Sequence, residues 1–569
     1  MVLALAACAV AHPATAAELA PLAIPAPSSA PLLPQQVAAA DRPAFQRLFA
    51  ALRTGNGTEA KALLDAAPAG PLADYARARL LAQGTLPVDS AAIAALLRDD
   101  PALPDAPTLA KLAGLGAGAL PAEQRLVRLA GPSKRARSRP TPGGDRLERA
   151  AQPLLRAGSP ASAEPLIEGA AGTLPAECLT EWRYRLAWAY YQAGDDASAR
   201  RVATLAQTGA GEWSVDAAWV NGLAAYRAGA HADAAIAFSR VGSNASEAET
   251  AAAGRFWAAR AFTAAGQPER AKPLLEGAAA REQTFYGLLA AAMLGRETGL
   301  EEPQPGQFDA LLRRAPFRTA AALVEIGETD LADALLRRQA RIGSPAEHGA
   351  LIAFTAALHL PATQVWLAQN APAGAQLTLA QRYPLPAWSP TGGWRVDRAL
   401  VLAHALQESE MRVDAVSPAG ARGLMQLMPA TARLVARHRG ESEDVVQRLS
   451  DPALNFEYGQ SYLQELADSG TTGGLLPKVI AAYNAGPNAV ARWATSPAVA
   501  ADPLLFIESI PYAETRGYVA IVLRNYWIYQ RRMGVSTSRL ANLARGEWPR
   551  FPVRAAQVAG TGALVAGAN

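Results

Sequence analysis

Cysteine is almost missing from this chain: Cys8 and Cys178 are the two among 569 residues, so a disulfide-stapled framework is excluded. Aromatic residues make up 7% and charged residues 18%. No stretch beyond the N-terminus keeps the roughly 18 uninterrupted apolar residues that a bilayer span requires. Charge of one sign is also lacking. The net charge is +4, without the concentrated basic face expected of a nucleic-acid binder. The one dense basic run, SKRARSR at Ser133–Arg139, leads into PTPGG and reads as a solvated loop. β-branched runs are few, while Ala, Leu and Arg abound, so the chain is expected to be mainly helical. Its length exceeds the roughly 250–300 residues at which single cores stop growing and calls for several domains.

What is present begins with MVLALAACAVAHPATAAELA, an alanine-rich apolar run that reads as an export signal over residues 1–17, followed by a proline-rich linker over 18–40. Two processing routes compete. One cuts near Ala14-Thr15-Ala16; the other treats Leu5-Ala6-Ala7-Cys8 as a lipobox and lipidates Cys8. The short apolar run before Cys8 favours the first. Export predicts a periplasmic protein without a transmembrane segment.

From residue 41 to 380, short helices alternate with Gly, Pro or Asp-Asp punctuation. WAYYQAGDDASARRV from Trp188, AAYRAGAHADAAIAF from Ala224 and RAFTAAGQPERAKPL from Arg260 share one frame. Their glycines, Gly194, Gly229 and Gly266, are spaced by 35 and 37 residues, near the period of about 34 in helical-hairpin repeats. Each glycine is expected just past a helix end, where φ is positive. Stacked hairpins of this kind make a superhelical solenoid. Trp188, Tyr190, Tyr226, Phe238, Trp257 and Phe262 read as its packing.

RYPLPAWSPTGGW at Arg382–Trp394 interrupts the helical pattern, placing a linker at 381–396, a second domain at 397–550 and a low-complexity tail at 551–569. Asp397 suits the N-cap of the next helix. This helix runs into HALQESEMRVDAVSPAGARGLMQLMP, His404–Pro429, with Glu408, Glu410 and Asp414 close together. At about 100° per residue, Glu408 lies over Val401, His404 and Ala405, while Glu410 points about 160° away. Desolvation and the negative end of the helix both raise the pKa of an inward carboxyl, as a general acid requires. Met411, Met425 and Met428, three of six methionines, suit an adaptable apolar cleft wall as well as a core. His404 and Glu408 lack the HExxH pattern or the further His and Cys of a metal site, and no cofactor is implied.

QES, SPAGARGLMQLMP, AAYNAGP at Ala481–Pro487 and FIESIPYAETRGYV at Phe506–Val519 together resemble the ordered motifs of the soluble lytic murein transglycosylases. The resemblance implies a mainly α fold: a tetratricopeptide-like α-superhelical solenoid followed by a lysozyme-like catalytic domain with a small β element. It also implies cleavage of the MurNAc–GlcNAc bond of peptidoglycan to 1,6-anhydro ends without water. It places the catalytic acid/base on Glu408 and glycan contacts on Ser417, Gln426, Met428, Tyr483, Asn484 and Glu508. Glycan strands are the implied partner, with cell-wall synthesis or secretion machinery as candidate protein partners. Met411-Arg412-Val413 departs from the aromatic-Asn-Pro common in the family. A hydrolase of the same fold, or a non-catalytic binding module, are the alternatives.

Overall fold

The computed structural model describes residues 33–116, 118–128, 141–296, 300, 308–493 and 496–552. The expected export signal, most of the linker that follows it and nearly all of the tail lie outside the described residues, as does SKRARSR.

The repeat frame folds as successive antiparallel hairpins. Helices Ala176–Gln192 and Asp196–Gln207 form the first, Trp213–Arg227 and His231–Asn244 the second, and Ala248–Ala264 and Ala271–Ala279 the third. Gly194, Gly229 and Gly266 follow the first helix of each at φ of 81°, 77° and 78°, a left-handed conformation in which a side chain is strained. Tyr190, Phe238, Trp257 and Phe262 are buried, and Trp188 and Tyr226 pack against them. Trp257 sits at the centre, edge-on to Trp219 at 6.3 Å and to Tyr226 at 5.2 Å. Alanines and glycines fill the remaining space. A Cβ on Gly254 would lie 2.3 Å from the Gly242 nitrogen, so backbones of neighbouring helices touch there.

The expected continuous array is in fact packed into two cores. Helices between Arg42 and Leu112 fold back onto those between Ala315 and Gln369 and share one core with them. The hairpins between them share their core with the C-terminal domain. Two short strands, absent from the sequence reading, join the ends: Leu126–Arg128 pairs antiparallel with Asn370–Pro372, in register Leu126 to Pro372. Three residues are too few for an alternating pattern to register in sequence.

Between the 3-10 turn Ala380–Arg382 and helix Arg398–Ser409 no regular helix forms. Asp397 caps that helix, accepting from the Ala399 N–H at 2.9 Å. Its other oxygen accepts from Tyr526 and Gln530, at 2.9 and 3.1 Å, on the 20-residue helix Ala513–Arg532. Helix Arg398–Ser409 is thus pinned along this long partner and is buried from Ala399 to Ala405. Helices Pro452–Asp468 and Leu476–Ala485 close the domain around it.

Candidate active site

Helix Arg398–Ser409 ends because Glu410 and Met411 take up positive φ, 53° and 66°, conformations that cost L-residues about 1–3 kcal/mol each. Glu408 therefore stands in the last turn. Tyr518, from helix Ala513–Arg532, donates its hydroxyl to Glu408 Oε1 at 2.6 Å. Burial holds the Glu408 carboxyl up at about 7; the Tyr518 bond acts against it and the neighbouring Glu514 adds to it. Helical phase is realised: Glu410 turns the other way, toward Arg128 at 3.9 Å.

His404, one turn before Glu408, is fully buried and gives Nδ1 to the Leu400 carbonyl at 2.9 Å. Burial pushes its pKa down to about 4, so the ring is neutral. It packs edge-on to Tyr483 at 4.9 Å and to Tyr518 at 6.1 Å. Both tyrosines thus pack against one buried ring. Tyr483 spends its hydroxyl on the Met425 carbonyl at 2.8 Å. It does not bond Glu408. Burial and the Glu408 charge raise its pKa well above the ordinary tyrosine value. Beside it, Asn484 Oδ1 accepts from Thr515 at 2.7 Å.

Val416, Arg422 and Leu427 form isolated antiparallel bridges that fold 415–427 into a compact turn. Ser417 Oγ accepts from the Ala421 N–H at 3.0 Å. Gln426, at φ 46°, donates its side-chain nitrogen to the Ala415 and Gly423 carbonyls at 3.0 and 2.9 Å. Asn455, fully buried on helix Pro452–Asp468, accepts from the Met425 N–H at 2.8 Å and donates to the Arg422 and Leu449 carbonyls. Gly423 permits this approach, since a Cβ there would meet both Asn455 Nδ2 and the Leu449 oxygen at 2.2 Å. Of the three methionines that suited cleft wall and core alike, Met411 and Met425 are core, Met425 lying over Gly459, and Met428 is exposed, at 41%.

The structure thus links Glu408, Tyr483, Gln426 and, through Thr515, Asn484 in one bonded and packed cluster, with Ser417 and Met428 on its turn. It does not bring Glu508 there. Glu508 is buried against the solenoid and accepts the Tyr286 hydroxyl at 2.5 Å. The reason is the short helix Pro503–Ser509, which docks on the hairpins: Asp502 pairs with Arg260 at 2.8 Å and Ser509 meets the Tyr191 hydroxyl at 2.6 Å. Tyr518, Thr515, Glu514 and Asn455 were not singled out from sequence. The spacing of Tyr518, Thr515 and Glu514 along one helix toward Glu408 was the signal available for three of them. Among the described residues, no group of three or more His, Cys, Asp or Glu could hold a metal ion.

This arrangement is a lysozyme-like domain carried on a helical superhelix. Residues 389–503 match the family model for the transglycosylase SLT domain. The soluble lytic murein transglycosylase of Salmonella typhimurium is 31% identical over 314 residues, covering 52% of this chain and 46% of that protein. The chain therefore matches about half the length of these curated relatives. A membrane-bound lytic murein transglycosylase C of Histophilus somni is 37% identical over 120 residues, covering 20% of this chain and 33% of that protein. In fold, the 70-kDa soluble lytic transglycosylase of Escherichia coli aligns over 90% of this chain and 99% of its own, at TM-score 0.51 and 19% identity. The corresponding complex with bulgecin A aligns at TM-score 0.55 and 21% identity, over 91% of this chain and 84% of that one.

Proposed function

We propose that the chain is an exported, periplasmic lytic transglycosylase that cleaves the MurNAc–GlcNAc bond of peptidoglycan and leaves 1,6-anhydro-MurNAc ends. The observation that carries this reading is the Glu408 carboxyl, held near neutrality by burial and bonded by Tyr518 in place of a basic partner. At neutral pH a large share of it is protonated, ready to give its proton to the glycosidic oxygen. The resulting carboxylate is stabilised by the Tyr518 hydroxyl and takes the proton of the sugar's own C6 hydroxyl as that oxygen attacks C1. The internal nucleophile needs no capture from solution.

Gln426 keeps its carbonyl oxygen for a sugar group while its nitrogen holds the turn. Ser417, Asn484 and exposed Met428 line the glycan path, and Tyr483 positions the turn through Met425. Glu508 acts at a distance, fastening the domain to the solenoid. Among the described residues no helix is long and apolar enough to cross a membrane.

A hydrolase reading has one observation in its favour. Glu514 is exposed near Glu408, where a second carboxylate could activate water. Mass spectrometry of digested murein separates the two: anhydro ends are expected, and reducing MurNAc ends would establish the hydrolase.

A further inference from the structure

Helix Ala513–Arg532 carries Tyr518 in its second turn. Its far half is pinned to Asp397 through Tyr526 and Gln530, but Tyr518 stands about 12 Å from Tyr526 along the axis, at 1.5 Å per residue. The near end lacks a cap. Tyr512, at the N-cap, makes no side-chain bond to the first turn, so the leading N–H groups are open to fraying. Thr515 ties this turn to Asn484 within the catalytic domain. The other ties lead to the solenoid.

Arg516, in the same turn, donates Nη1 to the Ile510 carbonyl at 2.6 Å and closes the corner between helix Pro503–Ser509 and the long helix. Its guanidinium lies 4.4 Å over the ring of Trp188, on the first helix of the first hairpin. One turn further along that helix, the Tyr191 hydroxyl meets the Ser509 hydroxyl at 2.6 Å, and Gln192 donates to the Ser509 carbonyl at 3.2 Å. The charge of Arg516 also acts on Glu508, against the burial that raises the Glu508 pKa. Glu508 accepts from Tyr286, whose oxygen accepts from Trp257 Nε1 at 3.0 Å. A chain of polar contacts thus runs from the centre of the solenoid to the turn before Tyr518.

A guanidinium stacked on an indole and bonded at its edge is held in one orientation. Hydrogen bonds weaken steeply with misalignment, and a shift of about 1 Å near the reacting groups can cost about a hundredfold in rate. We propose that Arg516 is a positioning residue: clamped between Trp188, the Ile510 carbonyl and Glu508, it holds the start of helix Ala513–Arg532 so that the Tyr518 hydroxyl meets Glu408. The solenoid thereby helps to set the acid. This turn exerts two influences on Glu408: the Tyr518 bond, which lowers its pKa, outweighs the Glu514 charge, which raises it. A loosened turn therefore raises that pKa. The consequence for rate rests on the transglycosylase reading above; the consequence for Glu408 does not.

Carbon-13 NMR of the full chain labelled at its glutamate carboxyls reads the titration, the Glu408 signal being the one missing in Glu408→Gln. Arg516→Gln and Trp188→Leu should each raise the midpoint by at least about half a pH unit, whereas Trp188→Phe, which keeps a ring under the guanidinium, should stay near wild type. On soluble glycan strands the same two variants should lower kcat about five- to tenfold and leave KM within about twofold. Phe354→Leu, in the other solenoid core, should change neither reading. Arg516→Gln added to Tyr518→Phe should raise the midpoint no further, since both act through one hydroxyl. Circular dichroism reports folding; if Arg516→Gln fails to fold, Trp188→Leu decides. An unmoved midpoint in Trp188→Leu, an equal shift in Phe354→Leu, or a further rise in the double variant would overturn the proposal. A wild-type chain that leaves murein intact loses the proposed function, while the NMR titration still decides this one.

Discussion

The hairpin solenoid and the catalytic domain are both helical, yet they are held together by different chemistry. Around Trp257 the solenoid is closed mainly by shape, with aromatic rings, alanines, and backbones that touch at Gly242 and Gly254, and by one polar chain in which Trp257 Nε1 donates to the Tyr286 hydroxyl at 3.0 Å. The catalytic domain buries His404, Asn455, Glu457, Gln460 and Gln530. Glu457 is the clearest case. Burial alone would raise its pKa, but Arg395, the Gly392 N–H and Arg439 outweigh that and hold it below the ordinary carboxylate range. A core closed by shape tolerates exchange of one apolar residue for another of like volume; buried polar networks fix a single arrangement but fail when one member is lost. The first kind supports a surface, while the second positions atoms for reaction.

The largest stability loss expected from the comparison is in the solenoid. Trp257→Ala should destabilise by about 3–5 kcal/mol, read as a lower midpoint in chemical denaturation; a negligible shift would mean the hairpins do not depend on this ring. Asn455→Ala should cost about 2–3 kcal/mol by leaving the Met425 N–H and two carbonyls unpaired. It should also abolish murein cleavage through the 415–427 turn, whereas Trp257→Ala should act mainly through stability.

Tyr518→Phe keeps the ring and deletes the hydroxyl. Rates should fall by roughly tenfold. The lost hydrogen bond favoured the ionised acid, so the pKa of Glu408 should rise and the descending limb of the pH–rate profile move to higher pH. Glu514→Gln should move it the opposite way with little loss of rate, because removing a neighbouring negative charge lowers that pKa. Loss of most activity in Glu514→Gln would favour the hydrolase.

The pKa of Glu408 also sets a stability relation of definite sign. The group holds its proton more tightly folded than unfolded, so its contribution is full below about pH 4.5 and declines as pH rises through about 7. Part of the folding free energy is thus surrendered at neutral pH to keep an acid in place.

Much of this was legible in the residues. Helical phase over Val401, His404 and Ala405 put Glu408 inward, and the Gly194, Gly229 and Gly266 frame marked the hairpins. What escaped sequence was long-range. Nothing local says that Asn455 would seize the Gly423–Met425 backbone, that Tyr286 would claim Glu508, or that helices near residue 75 would share a core with those near residue 320. Sequence left Met411 and Met425 open between core and cleft wall, because methionine suits both, and the structure puts them in the core. Glycine at 459, which opens the space for Met425, carries no such message by itself.

The central claim is that one carboxyl serves as acid and then as base. The most direct test is to digest the same murein with the wild-type chain and Glu408→Gln at pH 6 and compare released anhydro-muropeptides. Glu408→Gln retains its fold and loses roughly 10²–10⁴-fold in rate if the account holds; cleavage by Glu408→Gln at the wild-type rate would contradict it.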